Sequence, residues 1–373
     1  MSINNKFYKA KNMGVVRIAL AGIGNCASSL LQGIEYYRDR PERRRNGLMH
    51  ESIGGYRVED VLPVAAFDID RRKVGRLLHE AVFAQPNCTS VFQQLLPHWS
   101  VTVQMGPVLD SCADHLDQYP DASKLCVAEE PPVDIAQSLR DSGAEVLVCY
   151  LPVGSELAVR AYAEACLAAG VAMVNCVPVF LASDPLYAAR FRAAGLPIVG
   201  DDIKSQFGAT IVHRQLIRML GDRGIQPSHT YQLNVGGNTD FLNMLARSRL
   251  ASKKQSKTEA VQSQLDAPLD SASIHIGPSD YVPWMKDNKV AFIRIEWEGF
   301  GGTPMNLELR LSVEDSPNSA GVVIDAIRYA KVGVDRGLGG PLDAACSYLM
   351  KRPPRQMRDE EARVALQSFI DQK

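Results

Sequence analysis

The chain has 373 residues, enough for one large domain or two ordinary domains with cores of their own. Hydrophobic residues make up 46% and charged residues 22%, and the formal net charge is −1. These values are typical of a soluble globular protein, and so small a charge provides no global field to recruit nucleic acid or a membrane surface.

The eight cysteines are scattered along the chain without a CxxC pair, and several lie in apolar runs. This usage predicts reduced thiols and argues against a zinc site or a disulfide framework. Residues 1–14 are polar and lack the apolar segment of a signal peptide, and no apolar run approaches membrane-spanning length. We therefore expect a cytoplasmic protein with no membrane and no nucleic-acid partner.

A dinucleotide-binding turn is predicted near the N-terminus. Residues 15–21 read as a buried strand, which leads through Gly22 and Gly24 into a helical pattern that extends to about Tyr37. Glycines at such a turn let the backbone approach a pyrophosphate, and the helix N-terminus offers free N–H groups. Ala27 replaces the third glycine of the usual motif, so a purely structural turn is the alternative.

The second predicted strand, residues 64–68, ends in Asp68. In this fold an acid at the end of the second strand accepts hydrogen bonds from the adenosine ribose and repels the additional phosphate of NADP. Asp68 therefore predicts NAD as the cofactor. It lies much further from Gly22 than the usual spacing of about 20 residues, which weakens the match.

Three further buried strands alternate with helical patterns, as in a parallel sheet. They cover residues 145–150, 171–175 and 197–200. Ligands of such sheets bind beyond the carboxyl ends of the strands. The loops expected to face the cofactor are therefore 150–154, 175–178 and 200–205.

Charged residues follow the last of these strands. They are Asp201, Asp202 and Lys204, with Ser205 beside them, and a helix is predicted to extend to about Gly221. A helix cap would explain one aspartate, and Asp201 suits that role. Two adjacent acids with a lysine and a serine are more than a cap requires, so functional residues are expected here.

The stretch 234–257 combines amides, a carboxylate and lysines. Asn234, Asn238 and Asp240 are expected in a glycine-containing turn, and Lys253 and Lys257 follow. Lysines four apart share one face of a helix, and two ammonium groups this close should each have a lowered pKa. The arrangement predicts a pocket for a phosphate or an enolate, with a solvated basic helix as the alternative.

In the C-terminal third of the chain, apolar residues recur at every second position. Residues 293–298 and 307–313 alternate apolar and polar side chains, which predicts half-buried, antiparallel strands. We expect a second domain with a largely antiparallel open sheet, one face of which packs against a partner subunit. Polar islands expected to be loops are 287–289, 314–319 and 348–351; helices expected to complete the first domain are 321–336 and 358–371.

Several motifs closely resemble those of bacterial myo-inositol-1-phosphate synthases, in order and over nearly the whole chain. They include GIGNCASSLLQGIEYY, AAFDIDRRKVG, LPVGSE, GDDIKSQFGATI, LNVGGNTDFLNM, SKKQSKT, DSPNSAGVVIDA and SYLMKRPP. The resemblance implies an α/β protein with a Rossmann-type NAD-binding domain over residues 14–200 and 322–373. It also implies an α+β domain for catalysis and tetramerisation over residues 201–321.

The resemblance implies an NAD-dependent isomerase, usually a homotetramer, that acts at the first step of inositol and phospholipid biosynthesis. D-glucose 6-phosphate would be oxidised at carbon five, enolised, closed by an intramolecular aldol reaction and reduced again. The product would be the carbocycle 1D-myo-inositol 3-phosphate. Negative charge develops on oxygens during this sequence, and preorganised cations stabilise it.

Site residues are also implied by the resemblance. The catalytic set is Lys253, Lys257, Lys289, Lys351, Asp202, Asp240 and Lys204, with Lys253 as the main acid–base lysine. The cofactor-binding set is Gly22, Gly24, Asn25, Cys26, Asp68, Leu151, Pro152, Asn175, Ser205, Asn238, Asp240, Asp315 and Ser316. A mono- or divalent cation is left open, because no ligand spacing marks a metal site.

Thr239 departs from the family pattern, where methionine or asparagine is expected, and this leaves the exact sugar phosphate open. One alternative is a related enzyme that cyclises another hexose phosphate, such as fructose 6-phosphate, to a five-membered carbocycle. Others are an ordinary dehydrogenase that accumulates NADH and a non-catalytic NAD-sensing protein.

Overall fold

The computed structural model describes residues 14–38, 40, 46–277 and 280–371. Residues 1–13, on which the signal-peptide expectation rests, lie outside the described residues. In the described part of the chain, no helix has both the length and the apolarity needed to cross a membrane. All eight cysteines are described, and each is unpaired, as the sequence predicts.

The strands and helices alternate along the first half of the chain. The strands are β1 (Val16–Ala21), β2 (Val61–Asp68), β3 (Val103–Met105), β4 (Val146–Cys149), β5 (Ala172–Asn175), β6 (Pro197–Val199), β7 (Pro227–Gly236), β8 (Ile274–Ile276), β9 (Asp280–Tyr281), β10 (Asn288–Glu298), β11 (Pro304–Glu314) and β12 (Gly340–Pro341). The helices are α1 (Asn25–Arg38), α2 (Leu78–Ala81), α3 (Ile135–Ser142), α4 (Glu156–Ala169), α5 (Pro185–Ala193), α6 (Ala209–Asp222), α7 (Thr239–Asn243), α8 (Ala251–Gln262), α9 (Asp315–Asp335), α10 (Asp343–Leu349) and α11 (Asp359–Asp371).

The first sheet has seven strands in the order β12-β6-β5-β4-β1-β2-β3, and every pair is parallel. Its central strands are continuous apolar runs such as VLVC in β4, because both faces of a parallel sheet are covered. Helix α9 is buried along most of its length and packs against β4, β5 and β6. The predicted Rossmann-type sheet is confirmed.

The second sheet orders its strands β11-β10-β7-β8, with β9 also paired to β7. The long ladders of β10 with β11 and with β7 are antiparallel, whereas β8 and β9 add short parallel pairs. Alternate residues of β10, including Ile293 and Ile295, are buried in a small core with α6 and α8. The predicted open, largely antiparallel sheet is therefore confirmed.

Four predicted loops are partly regular structure. Residues 288 and 289 of the expected loop 287–289 begin β10. Residues 315–319 form the first turns of α9, which begins earlier than the expected residue 321. Residues 348 and 349 end α10. Asn234 belongs to β7, and the turn begins only at Gly237. Each expectation was wrong because polar residues at a helix or strand end near a site resemble loop residues in a single sequence.

The chain passes between the two sheets twice. Residues 200–208 lead from β6 to α6, and residues 314–315 lead from β11 directly into α9. Both crossings lie at the carboxyl ends of the parallel strands, where ligands of such sheets bind. The cavity described next is built around these crossings.

Candidate active site

A single continuous cavity lies between the carboxyl ends of the first sheet and the second sheet. It is lined by the β1–α1 turn, the ends of β2 and β4, both chain crossings, α7 and α8. Of the site residues predicted from the sequence, all but two line it. They are Gly22, Gly24, Asn25, Cys26, Asp68, Leu151, Pro152, Asp202, Ser205, Asn238, Asp240, Lys253, Lys257, Lys289, Asp315, Ser316 and Lys351.

The glycine turn between β1 and α1 is tightly constrained on one side and open on the other. Gly22 has a φ of +91°, and a Cβ there would lie 2.9 Å from the carbonyl oxygen of Tyr150. A Cβ on Gly24 would meet nothing within 4 Å. Gly22 is thus required by the fold, whereas the space above Gly24 is available to a ligand.

The carboxylate of Asp68 holds the glycine turn to the end of β2. Its Oδ2 accepts a hydrogen bond from Ile23 N–H at 2.6 Å, and its Oδ1 accepts from Ile69 and Asp70 N–H at 2.8 Å each. The ammonium of Lys73 lies 4.0 Å from Oδ2. Asp68 therefore lines the cavity in the expected place while also fixing the backbone around it.

Asn25, the first residue of α1, joins the turn to a neighbouring loop. Its Oδ1 accepts hydrogen bonds from Cys88 N–H at 2.7 Å and Thr89 N–H at 3.0 Å. The next residue, Cys26, is half-buried, and desolvation of the thiol together with the carboxylates of Asp287 and Asp315 raises its pKa to about 12. Cys26 is therefore a neutral, unreactive wall of the cavity.

Three lysines in the cavity are each paired with an aspartate. Lys253 Nζ donates to Asp240 Oδ2 at 2.9 Å, and Lys289 Nζ donates to Asp315 Oδ1 at 3.1 Å. Lys351 Nζ donates to Asp202 Oδ1 at 2.7 Å and to the Ile203 carbonyl at 2.6 Å. These are the pairs Lys253–Asp240, Lys289–Asp315 and Lys351–Asp202, and they join residues far apart in the sequence.

Lys257 is the cavity lysine that makes no carboxylate pair within the described part of the chain. Burial and the neighbouring ammonium groups of Lys253, Lys289 and Lys351 lower its pKa well below the ordinary value. The cluster thus has four cations and three anions, which gives the cavity a net positive charge when every group is ionised. Such a cavity attracts an anionic ligand.

The pKa of Lys253 corrects the expectation that both lysines of α8 are lowered. Burial alone would lower it, but the carboxylates of Asp240 and Asp202 outweigh that effect and raise it. Lys253 therefore remains an ammonium at neutral pH, whereas Lys257 holds its proton less tightly than an ordinary lysine. The two lysines look equivalent in the sequence, but their different neighbours shift their pKa values in opposite directions.

The cavity-facing side of α8 is not a solvated basic helix. Ser256 is fully buried and donates from Oγ to Asp202 Oδ2 at 2.6 Å, and the side chains of Lys253 and Lys257 lie on either side of it along the helix. Lys254, the residue that follows Lys253, is exposed. The four-residue spacing of the two cavity lysines therefore marks one functional face.

The two acids after β6 have different surroundings. Asp201 accepts hydrogen bonds from the N–H groups of Leu181, Ala182 and Ser183 in the turn before α5. Asp184 caps α5 and Gly208 caps α6, so the expectation that Asp201 caps a helix was wrong. Asp202 has a φ of +63°, an uncommon conformation for a non-glycine residue, and turns its carboxylate into the lysine cluster. The lysines outweigh burial and lower the pKa of Asp202.

Asn238 links the turn after β7 to the far crossing of the chain. Its Oδ1 caps α7 by accepting from Asp240 and Phe241 N–H, and its Nδ2 donates to Asp287 Oδ1 at 2.8 Å. Asp287 also accepts from both the N–H and the Oγ of Ser316. Burial raises the pKa of Asp287 to about 6.

Comparison with known proteins matches these elements to one family. Residues 208–316 fit the family model described as myo-inositol-1-phosphate synthase. Inositol-3-phosphate synthase of Mycolicibacterium smegmatis is 53% identical over 97% of this chain and 99% of its own length. The chain belongs to the inositol-3-phosphate synthase family. The enzyme of that name from Corynebacterium glutamicum is 54% identical over 95% of this chain and 98% of its own.

Among solved structures, the fold is similar to the crystal structure of Ari2. The TM-score is 0.77 at 36% sequence identity, over 95% of this chain and 98% of that one. This likeness in fold extends over both sheets described above. Like the resemblance noted in the sequence, the relatives match nearly the whole chain.

Two residues that the family resemblance implied lie behind the cavity wall. Asn175, at the end of β5, is fully buried and donates to Asp201 Oδ1 at 2.7 Å and to the Val179 carbonyl at 2.6 Å. Lys204 is 1% exposed, and its Nζ donates to the carbonyls of Ser347 and Tyr348 at 3.0 Å each. The expected placement of both in the site is therefore corrected.

The sequence analysis did not identify three residues that lie in or beside the cavity. Asp287 was expected to be a loop residue, Lys73 was not singled out, and Arg249 was not considered. Lys73 is 2% exposed and donates to Asn87 Oδ1 at 3.0 Å, beside Asp68. A lysine five residues after the strand-end acid was the available signal, but nothing in one sequence shows that such a lysine is buried.

Proposed function

We propose that this chain converts D-glucose 6-phosphate to 1D-myo-inositol 3-phosphate, with NAD as a recycled cofactor. The observation that carries the proposal is the cluster of four lysines and three aspartates in the same cavity as the glycine turn. A dinucleotide alone requires no second group of cations. The two bacterial relatives named inositol-3-phosphate synthase support the same activity.

The residues around the glycine turn suit NAD. Gly24 leaves open space at the start of α1, and Asp68 lies at the ribose position expected for this fold. Leu151 and Ser316 line the neighbouring wall. When bound, NAD supplies the acceptor and later the donor of the hydride at the sugar.

The start of α6 is the proposed position of the substrate phosphate. Gly208 is the N-cap residue, no side chain caps the helix, and residues 208–211 line the cavity. Lys289 and Ser205 line a recess together with Gly208 and Ala209. Free N–H groups, a helix dipole and an ammonium at one place are a suitable site for a dianion.

The lysine cluster would then stabilise the charge that develops on the sugar oxygens. Lys253 keeps its proton because Asp240 and Asp202 raise its pKa, so it can hold an oxyanion at Nζ. Lys257, whose pKa is lowered, is the group suited to take a proton at Nζ and give it back. Asp202, Asp240 and Asp315 fix the directions of three ammonium groups.

Product analysis tests this function. The purified protein is incubated with glucose 6-phosphate and a catalytic amount of NAD, and the product is identified by NMR. We expect inositol 3-phosphate with no net formation of NADH. NADH that accumulates in proportion to product would instead indicate an ordinary dehydrogenase, and a carbocycle formed only from fructose 6-phosphate would indicate the other hexose phosphate. An unchanged sugar with tight NAD binding would indicate a cofactor sensor.

The proposed domains follow the two sheets. Residues 14–200 with 322–373 would form the NAD-binding domain, and residues 201–321 the catalytic domain. The return of the chain into the first sheet supports the division, and the start of α9 at Asp315 moves its second boundary a few residues earlier. Expression of residues 201–321 alone, followed by circular dichroism, would test whether the second unit folds by itself.

A homotetramer is the proposed assembly, formed through the open face of the second sheet. Leu233 and Phe292 are cross-strand neighbours on that face, and each is 42% exposed. Two apolar side chains that face away from the core support a subunit contact, although by themselves they do not set its size. Light scattering of the purified protein measures the number of subunits.

A bound cation is proposed only together with the ligands of the reaction. Within the described residues, no group of three or more His, Cys, Asp or Glu side chains is placed to hold a metal. A mono- or divalent cation would therefore require oxygens of the cofactor or substrate. Activity after chelation and after exchange of Na⁺, K⁺ and Mg²⁺ tests this requirement.

The proposed location is the cytoplasm. Eight unpaired cysteines support a reducing compartment. The product would enter inositol and phospholipid synthesis there, and fractionation of cells that express the protein would test the assignment.

A further inference from the structure

Arg249 lies in the short 3-10 helix Arg247–Arg249, immediately before α8 and its lysines. Its Nη1 donates to Asn243 Oδ1 at 3.2 Å, and its Nη2 donates to the carbonyl of Asp110. Asn243 in turn donates from Nδ2 to the Val153 carbonyl at 2.7 Å. One guanidinium thereby joins the segment that carries Asp240 and Lys253 to two loops of the first sheet.

Gly154 shows how closely this arginine approaches the cofactor side. The glycine has a φ of +88°, and a Cβ there would lie 2.5 Å from Arg249 Nε and 2.8 Å from Arg249 Cβ. The arginine side chain therefore crosses the β4–α4 loop in direct contact with its backbone. Leu151 and Val153 of the same loop line the cavity.

Asp110 connects the same arginine to the start of α4. Its carboxylate accepts hydrogen bonds from Leu157 N–H at 2.8 Å and Ala158 N–H at 3.1 Å, whereas the N-cap residue Ser155 makes no side-chain cap. A residue from a distant loop therefore caps α4 and accepts from Arg249 with its carbonyl. The contacts of Arg249 thus end on the backbone of the cofactor loop and on the helix that follows it.

We propose that Arg249 is a positioning residue that couples the placement of Lys253 to the cofactor-side loop 151–154. It acts through Asn243, Asp110 and the backbone at Gly154, and it does not line the cavity itself. Lys253 follows it by one turn of helix, so a shift of Arg249 moves the ammonium relative to the cofactor wall. The inference rests on the proposed function for its kinetic consequence only.

The test compares Arg249→Gln with Arg247→Gln. Arg247 belongs to the same 3-10 helix and is exposed, and its side chain makes no hydrogen bond or ion pair with the described residues. We expect kcat of Arg249→Gln to fall about 10- to 100-fold, because a displacement of about 1 Å at reacting groups can cost that much. Arg247→Gln should retain wild-type kcat.

Two further measurements separate positioning from general damage. Arg249→Lys keeps the positive charge and a hydrogen-bond donor, so its kcat should lie between those of Arg249→Gln and wild type. Asn243→Ala combined with Arg249→Gln should cost much less than the sum of the two single effects, because both remove the same bridge. Additive effects would overturn the proposal.

Hydrogen exchange provides a readout that does not depend on the substrate. Amides of residues 251–257 should exchange faster in Arg249→Gln than in Arg247→Gln, because α8 loses its tether. Equal exchange in the two variants overturns the coupling. Faster exchange in a protein whose wild type forms no inositol phosphate would support the coupling and overturn the proposed function instead.

Discussion

Two buried clusters of charged side chains differ in their role. Asp202 belongs to the first cluster, and Lys204, two residues later, belongs to the second. In the cavity, three lysine–aspartate pairs lie around Lys257, which pairs with no carboxylate among the described residues. Behind the wall, Asp359 lies 3.6 Å from Lys204 Nζ and 2.8 Å from Arg214 Nη2. The second cluster also has more cations than anions, so the ratio of charges does not separate the two.

The hydrogen-bond acceptors separate them. Lys204 donates to two carbonyls at the end of α10, and Arg214 donates to the carbonyls of Ala260 and Met357. Backbone oxygens therefore saturate these cations and leave nothing for a ligand. Lys257 makes no such contact within the described residues, and it lines the cavity. An excess cation is available for chemistry only where the backbone does not satisfy it.

The largest expected effect is on catalysis. Lys253→Ala should lower product formation by roughly 10²–10³, as the loss of one preorganised donor to a developing oxyanion does. The exposed neighbour Lys254→Ala is the matched control and should retain full activity. Turnover with glucose 6-phosphate and the affinity for NAD are measured for both. A loss of NAD binding in Lys253→Ala would show that the lysine cluster has been wrongly assigned.

A substitution in the second cluster should lower the stability of the protein and should not change its chemistry directly. Asp359→Ala leaves Lys204 and Arg214 facing each other without their carboxylate, and should lower the free energy of unfolding by about 3 kcal/mol. This is the lower end for a broken buried pair, because the Asp359 side chain is 12% exposed. Urea denaturation measures it, with the exposed Glu361→Ala on the same helix as control. Equal midpoints for the two variants would contradict the comparison.

The smallest expected effect is a change in pH dependence. Burial and Arg214 lower the pKa of Lys204 to about 7, despite the opposing effect of Asp359, whereas the unfolded chain keeps the ordinary value of 10.5. Between these values unfolding takes up a proton, so the free energy of unfolding should rise with pH. Lys204→Met lacks this contribution, and other lysines such as Lys257 contribute equally to both proteins.

The difference between wild type and Lys204→Met is therefore expected to grow in favour of wild type from pH 7 to pH 9. Denaturation curves at three pH values are sufficient to measure it. Parallel dependences on pH would show that Lys204 titrates as it does in the unfolded chain.

Much of the site follows from local patterns in the sequence. Gly22 and Gly24 follow an apolar strand, Asp68 ends the next one, and the four-residue spacing of Lys253 and Lys257 places them on one helix face. In each case the fold needs only a short segment to set the direction of the side chain.

Other parts of the site depend on contacts that no local pattern contains. An extended chain would point Asp202 and Lys204 to the same side, but the φ of +63° at Asp202 interrupts that alternation, and Lys204 lies behind the wall. Asp287 and Arg249 acquire their surroundings only through partners such as Ser316 and Asp110, which are distant in sequence. Nothing in the sequence around residue 110 indicates that this segment supports the helix that carries Lys253 and Lys257.

The two crossings of the chain between the sheets have a mechanical consequence. Asp202 lies in one crossing and Asp315 in the other, so two of the three ion pairs lie on the axis about which one sheet could rotate against the other. A small rigid rotation about that axis would displace the far rim of the second sheet by several times more than it displaces these carboxylates. Under such a rotation the charged centre would therefore keep its spacing.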